Sequence, residues 1–97
     1  MNIISKRVLF EKGRKYPDAG GAIQTWFDVA RDAQWRSLED IRKTFPATDM
    51  IGPLAIFNIH GNRYRLIARM VFAYQRIYIK EFLTHAEYSK GARKKWL

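Results

Sequence analysis

With 97 residues, 47% of them hydrophobic, the chain has material for one core, and a single domain over residues 1–97 is expected. No apolar stretch approaches a membrane span, the amino terminus lacks the basic-then-apolar order of a secretory signal, and the absence of cysteine removes disulfides and thiolate chemistry; a cytoplasmic protein is expected. Eighteen Lys and Arg against nine Asp and Glu leave a net charge of +9, which points to a polyanionic partner: nucleic acid, a ribosome, an acidic protein or an anionic membrane surface.

Along the chain, Asn2 to Ile4 is a short β-prone start, and Ser5 is the expected N-cap of a helix reaching about Tyr16. Leu9, Gly13 and Tyr16 share one face of it. Pro17 to Gly21 reads as a loop of turn formers. A second helix is expected from Ala22 to about Gln34, with Ile23, Trp26 or Phe27, Ala30 and Ala33 as its apolar stripe. Ser37-Leu38-Glu39-Asp40 resembles a capping box and opens a short helix in which Leu38, Ile41 and Phe45 pack, stopped by Pro46. Thr48 to Pro53 reads as a loop. The remainder alternates and predicts a three-stranded meander: Leu54–His60, a Gly61-Asn62 turn, Arg63–Ala73, a Tyr74-Gln75 turn, and Arg76–Leu83. The tail from Ser89 is basic, and helix and loose chain both remain open for it.

Alternation sorts the middle strand into a core face of Tyr64, Leu66, Ala68, Met70 and Phe72, and an opposite face carrying Arg63, Arg65, Ile67, Arg69 and Val71. The turns set the register. The first pairs His60 with Arg63 and Asn58 with Arg65, placing Phe57 and Ile59 on the core side. The second pairs Ala73 with Arg76, Val71 with Tyr78 and Arg69 with Lys80, adding Ile77, Ile79 and Leu83 to the core side. Glu81 falls on the core side too, where it needs a helix cation or an edge position. The open face then gathers Asn58, His60, Arg63, Arg65, Arg69, Arg76, Tyr78 and Lys80. Phosphate is the natural counter-charge for such a face.

With His85 and Tyr88 just past the last strand, these residues suit cleavage of RNA by its own 2′-OH without a metal. Imidazole is the ordinary proton carrier near neutral pH, and Arg binds the extra charge of the phosphorane. Arg65, Arg69, Lys80, His85 and Tyr88 are the candidate catalytic residues. Asn58, Asn62, Arg63, Arg76, Tyr78, Lys94 and Lys95 are candidate RNA contacts. His60, beside a turn, needs no function. Trp26 and Trp35 read as packing, and Trp96 suits packing or stacking. No cofactor is expected: the glycines form no phosphate loop, and two histidines without a carboxylate cluster form no metal site. The same charge and aromatics also suit a non-catalytic RNA- or ribosome-binding accessory module, or a subunit that binds an acidic protein. A membrane surface fits least, because the cations fall on a sheet.

The segments Phe57-Asn58-Ile59-His60-Gly61-Asn62-Arg63-Tyr64-Arg65-Leu66-Ile67-Ala68 and Tyr78-Ile79-Lys80-Glu81-Phe82-Leu83-Thr84-His85-Ala86-Glu87-Tyr88 resemble HigB-type toxins of type II toxin–antitoxin systems. The segment Leu38 to Pro46 fits the same pattern, and the resemblance spans nearly the whole chain. It implies an α+β, RelE-like fold, with helices packed on one face of a small, mainly antiparallel sheet and the N-terminal strand at an edge or within the meander. It implies ribosome-dependent mRNA cleavage, blocked by a cognate helix-turn-helix antitoxin. The positions that match are Asn62, Arg65, His85 and Tyr88, with Lys80 as the basic position of the last strand. His60 departs from the pattern, which leaves its role open.

Overall fold

A computed structural model describes residues 1–90; Lys94, Lys95 and Trp96 lie outside the described residues. The elements run β1 (Asn2–Ile4), α1 (Lys6–Lys15), a 3-10 turn (Pro17–Ala19), α2 (Gly20–Asp32), α3 (Leu38–Thr44), β2 (Asp49–Ile51), β3 (Leu54–Ile59), β4 (Tyr64–Val71), a second 3-10 turn (Phe72–Tyr74), β5 (Arg76–Thr84) and α4 (His85–Ser89). The strands form one sheet in the order β1-β5-β4-β3-β2, with β1 parallel to β5 and every other pair antiparallel. This is the expected α+β, RelE-like arrangement, with β1 at an edge.

The helices α1 to α3 cover one face. Leu9, Ile23, Trp26, Ala30 and Ile41 meet Phe57, Tyr64, Leu66, Ala68, Met70, Ile77, Ile79 and Phe82. Trp26 is the buried member of the α2 stripe, while Phe27 lies nearer the surface between Phe10 and the cations of Lys6 and Arg31. Phe57 is the hub, with the Trp26, Phe45 and Trp35 rings 5.2, 5.8 and 6.1 Å from its own. Each such pair adds about 0.5–1.5 kcal/mol beyond its buried area. At Gly13 an added Cβ would stand 3.5 Å from Ile23 Cδ1, an ordinary van der Waals contact, so the packing of α1 on α2 does not depend on glycine there. The amino group of Met1 donates to the carbonyls of Ala30, Arg31 and Ala33 at the end of α2, where the helix dipole favours a cation.

Several expectations need correction. Ser5 precedes α1 in a left-handed conformation (φ 66) and its side chain makes no cap; Ser37 does cap α3, accepting from the Asp40 N–H at 3.3 Å. The helix α2 begins at Gly20, two residues early. The supposed loop Thr48–Pro53 contains β2, an edge strand joined to β3 through Gly52 at φ 57. Only Met50 and Ile51 are apolar within that strand, too short a run to show alternation.

The β3–β4 register is the expected one, Asn58 opposite Arg65. At the tip His60 and Gly61 carry the positive φ values, 55 and 64, rather than Gly61 and Asn62. The β4–β5 register is not as expected: Val71 pairs with Arg76 and Arg69 with Tyr78, because the connection is a 3-10 turn closed by left-handed Gln75 rather than a two-residue turn. A β-bulge interrupts the same pair of strands. Lys80 has no partner on β4, and beyond it Glu81 pairs with Ile67, Phe82 with Leu66 and Leu83 with Arg65. The extra residue exchanges the two sides. Phe82 therefore enters the core, and Leu83, expected there, packs on the opposite face. Glu81 meets a helix cation after all, Lys12 of α1 at 3.9 Å.

Candidate active site

The second face of the sheet has an apolar floor of Leu54, Ile56, Ile67 and Leu83, with Ile51 and Tyr88 against it. The short α4 lies beside this floor. The spacing Thr84-x-x-Glu87 explains where α4 begins. The Thr84 hydroxyl accepts from the Glu87 N–H at 3.1 Å, and the Glu87 carboxylate accepts from the Thr84 N–H at 2.9 Å. That backbone bond is the largest influence holding the Glu87 carboxyl below its ordinary range. The box sets His85 in the first turn, where its N–H also donates to the Arg63 carbonyl at 2.7 Å.

Four of the sequence candidates converge here. Arg65 is only 9% exposed. Its Nη2 donates to Asn62 Oδ1 and lies 3.1 Å from His85 Nδ1; its Nη1 donates to the Asn62 and Tyr64 carbonyls at 3.2 and 3.1 Å. The guanidinium carbon sits 5.8 Å from the centre of the Tyr88 ring. None of these partners is a carboxylate, and Arg65 makes no ion pair among the described residues, so a buried positive charge stands behind an exposed imidazole. His85 Nε2 lies 3.5 Å from Ser89 Oγ.

The remaining candidates are spread along the same face or leave it. Asn58 is exposed beside Arg65 in the register. Arg69 lies four residues on, roughly 13 Å along the strand at 3.3 Å per residue, with Ile67 between. It is exposed and paired with Tyr78 in the register. Lys80, the bulged residue, holds its ammonium 6.0 Å from the Tyr78 ring. Arg76 is at the far end, against the ring of exposed Tyr74. None of Arg69, Arg76 and Lys80 makes an ion pair among the described residues. Arg63 and His60, expected on this face, do not belong to it. Arg63 reaches Asp18 at 3.3 Å and His60 Nε2 lies 3.8 Å from the same carboxylate, because the left-handed turn carries both towards the helices. The Tyr64 hydroxyl also donates to Asp18, at 2.7 Å, and is the main reason that carboxyl is held below the ordinary range; Arg63 acts in the same direction.

Ser89 and the Asp18 cluster carry no motif in the sequence. The Thr84–Glu87 box does, in the same form as Ser37–Asp40. Among the described residues no group of three or more His, Asp or Glu is placed to hold a metal ion.

Residues 19–91 match a family model described as HigB_toxin, the RelE-like toxic component of a toxin–antitoxin system. Among curated proteins, the mRNA interferase HigB of Escherichia coli O6:H1 is 32% identical over 96 residues, covering 96% of this chain and 93% of that protein. The mRNA interferase toxin HigB of Escherichia coli K12 is 29% identical over 91 residues, covering 91% and 88%.

Proposed function

The chain belongs to the HigB family of RelE-like toxins, and from that premise we propose that it is an endoribonuclease that cuts mRNA on the ribosome by attack of a ribose 2′-OH on the adjacent phosphate. One observation carries the reading. Arg69, Arg76 and Lys80 share a sheet face with buried Arg65, and none of the four makes an ion pair among the described residues; Lys6, Arg7, Arg14 and Lys15 of α1, and Arg36, are likewise unpaired there. What singles out the sheet face is that exposed, unpaired cations on it lead to an imidazole and a phenol at one end: the cations attract a polyanion, and the titratable pair marks where chemistry occurs.

In this reading the scissile phosphate sits at His85 with Tyr88 beside it. Arg69, Tyr78 and Lys80 hold the strand further along. The reaction proceeds without a metal in the cytoplasm, and a helix-turn-helix antitoxin restrains it. Translating ribosomes are incubated with the purified chain and the mRNA ends mapped and their chemistry identified. New ends that carry a 2′,3′-cyclic phosphate, the product of 2′-OH attack, and vanish with His85→Ala support the proposal. Intact transcripts with retained ribosome binding would make the chain an accessory module instead.

A further inference from the structure

We infer that Arg65 is a positioning residue for His85 rather than a phosphate ligand, and that Asn62 holds Arg65 in that role. The geometry stands by itself; its consequence for cleavage rests on the nuclease reading above.

A guanidinium has five N–H hydrogens. Both on Nη1 go to backbone carbonyls, those of Asn62 and Tyr64, and both on Nη2 go to Asn62 Oδ1 and His85 Nδ1. Among the described residues only the Nε hydrogen is left, on a side chain 9% exposed. The two-pronged grip that makes Arg a strong phosphate ligand is therefore already spent on the protein. Asn62 supplies two of the four acceptors, one from its backbone and one from its side chain. Lacking the positive φ at the turn tip, it is the residue that turns back onto β4.

The contact to His85 fixes a tautomer. Arg65 can only donate, so Nδ1 accepts and carries no hydrogen, and the neutral ring carries its hydrogen on Nε2. The Ser89 hydroxyl oxygen, 3.5 Å from Nε2, is on the side where that hydrogen points. RNA then meets an N–H donor with an unneutralised guanidinium behind it. Such a donor stabilises a non-bridging oxygen as charge builds in the phosphorane. It has no lone pair on Nε2 with which to take the 2′-OH proton. His85 in this arrangement is an electrostatic donor, a third role beside base and acid; the 2′-OH proton passes to solvent water as the O–P bond forms, and water returns a proton to the departing 5′-oxygen as its bond to phosphorus breaks.

The tautomer is read by ¹⁵N NMR of histidine-labelled protein, with His85→Gln to separate its signals from those of His60. The wild type is expected to show Nδ1 bare and Nε2 protonated; Asn62→Ala to show a mixture; and Asn62→Asp, which keeps an acceptor for Nη2, to restore the single form. In cleavage, Asn62→Ala should lower kcat about tenfold or more with KM little changed, and Asn62→Asp should recover most of it. Affinity for an RNA blocked by 2′-O-methylation should stay within about twofold for Arg65→Lys and fall several-fold for Arg69→Ala. Hydrogen on Nδ1 in the wild type, an unaltered tautomer in Asn62→Ala, or a binding loss in Arg65→Lys equal to that in Arg69→Ala would overturn the inference. If Arg65→Lys does not fold, the Asn62 pair decides. A wild type that cuts no RNA refutes the nuclease reading, while the NMR result still decides the tautomer.

Discussion

Deleting Lys80 removes the bulge without turning over the end of β5. Ile79 stays opposite Ala68, and Glu81, Phe82 and Leu83 follow it without a gap opposite Ile67, Leu66 and Arg65, the partners they already have. Phe82 keeps its buried place, stacked 5.2 Å from Tyr64, and Leu83 keeps the floor of Leu54, Ile56 and Ile67. Deleting Ile79 also removes the bulge, but it brings Lys80 opposite Ala68 in the core. Losing the buried isoleucine alone costs about 2–5 kcal/mol, a large share of the roughly 5–15 kcal/mol that domains possess. In a chain of this size that lowers Tm by about 8–40 °C, whereas loss of Lys80 should cost no more than about 1 kcal/mol and shift Tm by less than about 8 °C. Thermal and urea unfolding followed by circular dichroism measure both effects. A Lys80 deletion as damaging as the Ile79 deletion would refute the claim that the bulge sorts these side chains.

Other outcomes are equally direct. His60→Gly, which relieves a left-handed backbone (φ 55), should stabilise the fold by up to about 1 kcal/mol and leave cleavage intact; a lost activity would give His60 a role. The Asp18 carboxyl, whose ordinary value is 3.8, is held lower mainly by Tyr64. A depressed folded value stabilises above the unfolded one and is lost as pH falls through the folded one. Asp18→Asn should therefore flatten the acid limb below about pH 3.8 in unfolding curves, and an unaltered limb would count against the cluster. Arg69→Ala should reduce the slope of log affinity against log salt by about one, as expected for one lost phosphate contact, in titrations against single-stranded RNA.

Much of the site was legible in the sequence, for a physical reason. Asn62, Arg65, His85 and Tyr88 come from two segments joined by regular strand pairing, and Gly61 at the tip of β3–β4 pins Asn58 opposite Arg65. What the alternation could not show lies where it breaks. Gln75 adopts a left-handed turn without being glycine, so the β4–β5 register carried no mark. The bulge at Lys80 has no composition of its own, and it alone reverses Phe82 and Leu83. Counting cations by parity also put Arg63 on the open sheet face, whereas Asp18, 45 residues away in sequence, draws it to the helices. The role of Arg65 was hidden for another reason. A guanidinium on a strand looks the same in sequence whether its hydrogens face solvent or its own backbone.

The sheet's margins have a bearing on how the chain behaves at high concentration. Both outermost strands, β1 and β2, are three residues long, and past Tyr78 the outer side of β5 has no strand neighbour among the described residues. Ribbons this brief offer little template for stacking one molecule's sheet onto the next, and the ammonium of Lys80 on the longer bare stretch repels a like copy. Fibrillar self-association is thereby discouraged.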